Sequence, residues 1–311
     1  MTKKPTTEKL LNLLDEKYNA INQDRDVHLE GLLHSNSITY WDYIHTDALL
    51  GLQIQRTTLP DEMVFIGYHQ INELIFKMIL WEIKQIADTS SLKVVFFQDK
   101  LMRISRYFDM LTTSFNIMRE GMDVGQYNKF RHTLTPASGF QSAQYRKIEF
   151  ASTELINLID VRFRAKIDRD TPFEHAFEHL YWQAAGKDYN TGQKSPLLIN
   201  FENRYKEEFI TFMKTYNTKN IWTRFKELSI DSQKDKSLID AMRHYDYTVN
   251  VTWVMAHYNA AKHYILGKEG DGAATGGSDW QKYMHPKYQK RIFFPELWSQ
   301  DEKDNWGHEL D

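Results

Sequence analysis

Apolar residues recur every three or four positions along most of the chain, the period that puts one stripe on the face of an α-helix. Leu10, Leu11, Leu14, Tyr18 and Ile21 follow it and predict one amphipathic helix over 6–34. Past Ser35-Asn36-Ser37 a second helix is expected, with Thr39 or Asp42 as its cap. Leu59-Pro60-Asp61-Glu62 starts a long helix that runs to about Ala87, and another follows over 97–120, ended by Gly121. Helix resumes over 123–133, breaks at Thr135-Pro136-Ala137-Ser138-Gly139, and returns from Gln141 to about Arg169. Thr171-Pro172 opens a further segment, 184–196 reads as a loop, and helices are predicted over 197–228 and 234–266. Five glycines in the eleven residues Gly267–Gly277 predict a flexible loop or lid. The tail from Asp279 carries Trp280, Tyr283, Phe293, Phe294 and Trp298, too apolar for water, and is expected to dock on this subunit or a neighbour. Lys93–Phe97 is the one short strand candidate. The pattern is that of an all-α chain in a single domain over 1–311, with an N-terminal helix over 1–34 and a docking tail over 279–311.

Composition narrows the chemistry. Lys and Arg number 39 against 42 Asp and Glu, a net charge of −3, which argues against nucleic-acid binding through bulk charge. Cysteine is absent, so disulfides, thiolate metal sites and iron–sulfur clusters are excluded. Any cofactor has to be held by His, carboxylate or Tyr, and the 12 His leave that open. Aromatics make up 14% of the chain, which suggests an aromatic-lined cavity or a large apolar interface. No apolar run approaches 18 residues and the start shows no apolar leader, so the expectation is a cytoplasmic protein that makes no membrane contact.

Three stretches carry candidate chemistry. In 61–87, Val64, Tyr68, Ile71, Ile75 and Ile79 form one stripe, while Phe65, His69, Asn72 and Phe76 form a second. A helix apolar on both faces is buried on both, which makes His69 either a core imidazole satisfied by a carbonyl or one presented to a buried ligand beside Phe65. Tyr127 and Arg131 are helical neighbours that suit a carboxylate, with the Ser138 hydroxyl and the Gly139 N–H available to the same anion; the alternative is a surface Arg paired with an acid. In the late helix, Trp253, His257, Ala260 and Ala261 share a face, with Ala256 beside the His. Small residues around a His suit a flat macrocycle, and imidazole is a normal axial ligand of haem iron, although His244 and His263 compete for that role. His175-Ala-Phe-Glu178-His179 also matches the H-x-x-E-H pattern of zinc peptidases, a short and weak signal.

Longer motifs add a resemblance. Asp61-Glu-Met-Val-Phe65-Ile-Gly-Tyr-His69-Gln70, with Glu73, Phe76 and Lys77, resembles the "DEMLFI…HQ..ELWFK" segment of tryptophan 2,3-dioxygenases. Phe130-Arg131, then Leu134-Thr-Pro-Ala-Ser138-Gly139-Phe-Gln-Ser142, Tyr145-Arg146 and Ile148-Glu149, is similar to their "FR..L.PASGFQS..YR.IE" block. Tyr40-Trp-Asp-Tyr43 with Leu49-Leu50 and Gln53 resembles their "Y..YL.LD.LL..Q" start, and Trp253, His257, Gly267-Lys268 and Thr275-Gly276-Gly277-Ser278 resemble "W…H…GK.GTGGS". The chain departs from the pattern at Ala273-Ala274, in the step from His257 to Gly267, and after Trp280.

The resemblance implies an all-α, haem-binding helical bundle. It implies a homotetramer, a dimer of dimers, that uses haem b and O2 to open the indole C2–C3 bond of L-tryptophan to N-formylkynurenine, in tryptophan catabolism by the kynurenine pathway. By matching position, His257 is the axial ligand of haem iron with Trp253 beside the cofactor, and His69 is the catalytic His next to the indole N–H. Phe65 lines the indole pocket. Arg131 and Tyr127 hold the substrate carboxylate, Ser138 lies near that anion or a haem propionate, and Thr275 contacts the amino-acid head group. Tyr40 and Tyr43 reach in from a neighbouring subunit. The departures leave open a mono-oxygenase or hydroxylase of tryptophan, or of another aromatic, on the same scaffold.

Overall fold

The computed structural model describes residues 4–131, 140–188, 191–266 and 284–308. Two compact units divide the chain, Met1–Gln53 and Ile54–Asp311.

The first unit holds four helices, α1 (Thr7–Asn19), α2 (Arg25–His34), α3 (Tyr40–Ile44) and α4 (Thr46–Leu50). The single helix expected over 6–34 is therefore two. The first ends at Asn19, Asn22 in a left-handed conformation (φ 54°) lies in the turn between them, and the Asp24 side chain accepts the Asp26 N–H to start the second. An ion pair from Arg25 to Asp15 at 2.6 Å and Tyr18 stacked 4.0 Å from His28 join α1 to α2. Thr39, as expected, caps α3. These four helices bury no side chain, and Leu33, Ile38, Tyr40 and Tyr43 lie exposed.

The second unit is built on α5 (Asp61–Asp88) and α6 (Val94–Glu120), followed by α7 (Val124–Arg131), α8 (Ala143–Ser152), α9 (Phe173–Phe177), α10 (Pro196–Tyr216), α11 (Ile221–Lys226), α12 (Ile230–Gln233), α13 (Lys236–Tyr247) and α14 (Trp253–Leu266). Helices α5, α13 and α14 each pack on α6, and α8 lies against α5. Their shared core contains the fully buried Ile79, Ile83, Phe97, Leu101, Phe108 and Phe130. Each such side chain contributes about 1.5–3 kcal/mol by leaving water. Among the described residues there is no strand, only two isolated β-bridges. No described helix is long and apolar enough to cross a membrane.

Several expectations need correction. Lys93–Phe97 starts α6 and is no strand. Gly121 does end that helix, because a Cβ there would come within 2.6 Å of the Ile117 carbonyl oxygen. The helix expected from Gln141 to Arg169 stops at Ser152. Thr153 turns extended (φ −143°) and its hydroxyl donates to the carbonyl of Phe293, 140 residues on, so a tertiary bond wins over local helical preference. The stretch 197–228 breaks after Tyr216, where the Asn220 side chain accepts from Thr223 to start α11. Within 234–266 the chain stays helical but passes through one π turn, Thr248–Thr252.

The tail folds back onto this unit. Phe293, Phe294 and Trp306 are buried, and Asp246 of α13 accepts from the Phe293 N–H (2.8 Å), the Phe294 N–H (3.0 Å) and Trp298 Nε1 (3.0 Å). Arg243 lies over the Trp298 ring at 4.2 Å. Trp280, Tyr283 and the glycine-rich 267–277 fall outside the described residues.

Candidate functional site

A cavity of about 560 Å³ opens between α5, α6, α7, α8 and α14, with the tail closing one side. Phe65, His69, Tyr127, Arg131, Trp253 and His257 all line it. Six residues singled out from sequence thus meet in one place, and hydrogen bonds between helix starts explain how. Asp61 Oδ2 accepts the Asp123 N–H at 2.6 Å, and Gln126 Oε1 accepts the Asp61 N–H at 3.2 Å. That tie sets the first turn of α7 against the first turn of α5. Phe65 then lies 6.1 Å from Tyr127 and 5.7 Å from Phe130, ring to ring.

His69 is held by its own helix. Nδ1 is 2.7 Å from the Phe65 carbonyl oxygen, four residues back, and the ring leans on Phe65 at 4.0 Å. A carbonyl accepts only, so Nδ1 carries the proton and Nε2 of the neutral ring keeps its lone pair as an acceptor. The imidazole is accessible, but from within the cavity, where surrounding protein strips it of solvent. Burial lowers its pKa, and the Phe65 carbonyl and Glu73 offset part of that.

His257 sits one turn after Trp253 on α14. Its ring stacks on Phe115 at 5.4 Å, and it makes no hydrogen bond to a described residue. Burial, then the nearby His69, then Arg146, depress its pKa to about 4. It is a neutral imidazole, the form that ligates a metal. Trp253 packs against Tyr145 (4.6 Å), Phe76 and Phe108, and its buried Nε1 has no hydrogen-bond partner among the described residues. The competing His244 and His263 are exposed and lie outside the cavity lining.

Arg131 is buried at the end of α7, and burial raises the pKa of Tyr127 despite the guanidinium beside it. This excludes the surface-Arg alternative. Ser138 and Thr275 lie outside the described residues. Tyr40 and Tyr43 belong to the first unit, where they are 72% and 74% exposed. The H-x-x-E-H stretch is structural: the Glu178 carboxylate takes Lys194 at 2.6 Å and Lys206 at 2.5 Å, and His179 packs on Phe163.

Comparison with known proteins decides the family. The family profile described as tryptophan 2,3-dioxygenase matches residues 27–266. The chain belongs to the tryptophan 2,3-dioxygenase family. It is 30% identical over 301 residues to the tryptophan 2,3-dioxygenase of Bacillus anthracis, covering 89% of this chain and 98% of that one. The tryptophan 2,3-dioxygenase of Bacillus cereus (strain ATCC 10987 / NRS 248) is 31% identical over 284 residues, covering 85% and 91%. That of Ruegeria sp. (strain TM1040) is 27% identical over 279 residues, covering 85% and 92%. The matched stretch contains every described cavity residue named so far, from Phe65 to His257.

Sequence reasoning left parts of this dioxygenase-family site without a role. Phe115, Tyr181, Trp182 and Tyr264 also line the cavity, as do Arg146 and Arg291. Arg146 stood in a recognised motif, and its spacing of three from Glu149 was the available signal. Arg291 gave none.

Proposed function

We propose that this protein is a haem-dependent dioxygenase adding both atoms of O2 across the indole C2–C3 bond of L-tryptophan. The observation that carries this reading is a cavity with two neutral imidazoles and a buried guanidinium in its wall. The donor set fits haem: a desolvated imidazole without a hydrogen-bond partner among the described residues, in a wall shared with the small Ala260 and Ala261, suits holding the iron of a flat ring. His257 would hold the iron and Trp253 would pack beside the porphyrin. Haem, when bound, supplies the O2 chemistry.

The protein's own groups then bind and orient. His69 Nε2 accepts the indole N–H, and Phe65 packs on the ring. Arg131, with Tyr127 beside it, takes the carboxylate through a charge-assisted fork. The Arg131 guanidinium in the cavity wall offers that fork only to a ligand carrying a carboxylate, so the cavity favours an amino acid over bare indole. The enclosing aromatic rings exclude water and hold the indole in one orientation. Ser138 and Thr275 are assigned to the anion and the head group by the family motifs they occupy. Tyr40 and Tyr43 are assigned to the cavity of a neighbouring copy in a homotetramer, a role that their exposure permits. One catalytic chain working in the cytoplasm, including its N-terminal unit and its tail, completes this reading.

The test is to aerate the reduced, haem-loaded protein with L-tryptophan and follow the product by absorbance and mass. A gain of two oxygen atoms as N-formylkynurenine is expected. A gain of one oxygen, or intact tryptophan, overturns the reading.

A further inference from the structure

Away from the imidazoles and Arg131, the cavity wall holds a second concentration of charge. Arg146 of α8 and Arg291 of the tail are both buried and share the carboxylate of Glu149, which is wholly buried. Arg146 Nη1 is 3.1 Å from Glu149 Oε2, and Arg291 Nη1 donates to Oε1 at 2.7 Å. The Tyr181 hydroxyl accepts from Arg146 at 3.0 Å and from Arg291, and donates to Glu149. Arg291 also donates to the Tyr145 hydroxyl at 2.9 Å and, through Nε, to Asn250.

Two guanidiniums share one carboxylate, which leaves one positive charge uncompensated within the triad. Among the described residues, Asp246 reaches Arg291 only through the Asn250 amide, and its own charge is met by four N–H donors. Arg146 Nε is buried without a partner among the described residues. Buried cations persist when an anion meets them. Arg146, Arg291, Tyr145 and Tyr181 face the same cavity as His69 and His257, and Arg146 is near enough to His257 to help lower its proton affinity. The cavity wall therefore calls for a bound ligand with a negative edge. A porphyrin carrying carboxylates is such a ligand, and Arg131 already serves the amino acid.

We propose that Arg146 and Arg291 form an anion subsite for the carboxylates of the porphyrin, with Arg291 supplied by the C-terminal tail. Arg291 lies beyond the 27–266 stretch that the family profile matches, so this chain adds a cofactor contact from outside it. The proposal rests on the haem reading above.

The test titrates the haem-free protein with ferric haem and, separately, with its dimethyl ester, which has no carboxylate charge. Affinity is read from the Soret band, without turnover. The unmodified protein is expected to bind the free acid at least about tenfold tighter than the ester, the usual worth of a charge-assisted contact. Arg291→Met leaves Arg146 and Glu149 as a neutral pair and is expected to bring that ratio towards one while the ester binds as before. Equal affinity of the unmodified protein for both porphyrins overturns the subsite but keeps haem. An Arg291→Met variant that weakens both porphyrins equally assigns Arg291 a structural role and also overturns it. Failure of both porphyrins to bind removes the cofactor reading and this proposal together.

Discussion

The proton on His69 Nδ1 is fixed by the Phe65 carbonyl at 2.7 Å, and much of the chemistry follows from that one bond. Desolvation holds the ring's pKa below its ordinary value. Stability linked to the neutral ring is complete above pH 6.5 and is lost as the pH falls below it, because the unfolded chain then takes up a proton that the native ring refuses. Tryptophan affinity should accordingly stay flat from pH 8 down through 6.5, measured by equilibrium titration. A loss with its midpoint at 6.5 would contradict the desolvated ring. At Arg131, replacement by Met removes a charge-assisted contact worth about 1.5–3 kcal/mol, so KM for tryptophan should rise more than about tenfold. An unchanged KM would move the carboxylate elsewhere. His257→Ala should abolish haem retention on gel filtration, whereas the exposed His263 should tolerate the same change.

Elements were legible where local chemistry decides them. Pro60-Asp61 starts α5, and Gly121 ends α6 because no side chain fits against the Ile117 carbonyl. The two stripes of α5 placed Phe65 and His69 together, and the four-residue step placed Tyr127 beside Arg131. The failures share a cause. Helix α8 stops at Ser152 because Thr153 is engaged by Phe293, and Arg291 enters the site because the tail docks on Asp246. Partners more than forty residues apart leave no local periodicity to read. The Asp246 clasp can be tested directly. Burial raises its pKa to about 6, against four N–H donors that pull it down. Asp246→Ala strands those donors at about 1–3 kcal/mol for each group left buried and unpaired. Limited proteolysis should then cut within 284–308 before the rest of the chain, and a tail as resistant as before would show that the clasp is dispensable.

Across the whole molecule, α5 shows two different faces. One lines the cavity, while Ile71, Leu74, Met78 and Trp81, spaced three, four and three apart, remain 44%, 46%, 46% and 61% exposed. A continuous apolar seam of this kind asks for cover, consistent with the proposed homotetramer. Light scattering should return a multiple of 37.0 kDa, and Leu74→Glu with Met78→Glu should lower it without loss of helical circular dichroism. A monomeric unmodified protein would contradict this. The π turn Thr248–Thr252 has a reach out of proportion to its five residues. It inserts one residue beyond an ordinary helical turn, and each residue of an α-helix advances the rotation by about 100°. Winding the same residues as an unbroken α-helix, without that wider turn, would swing everything downstream round by about a quarter revolution. The His257 imidazole, proposed to hold iron, would then turn away from the cavity it lines, so the angular phase of one long rod decides whether the proposed pigment can seat at all.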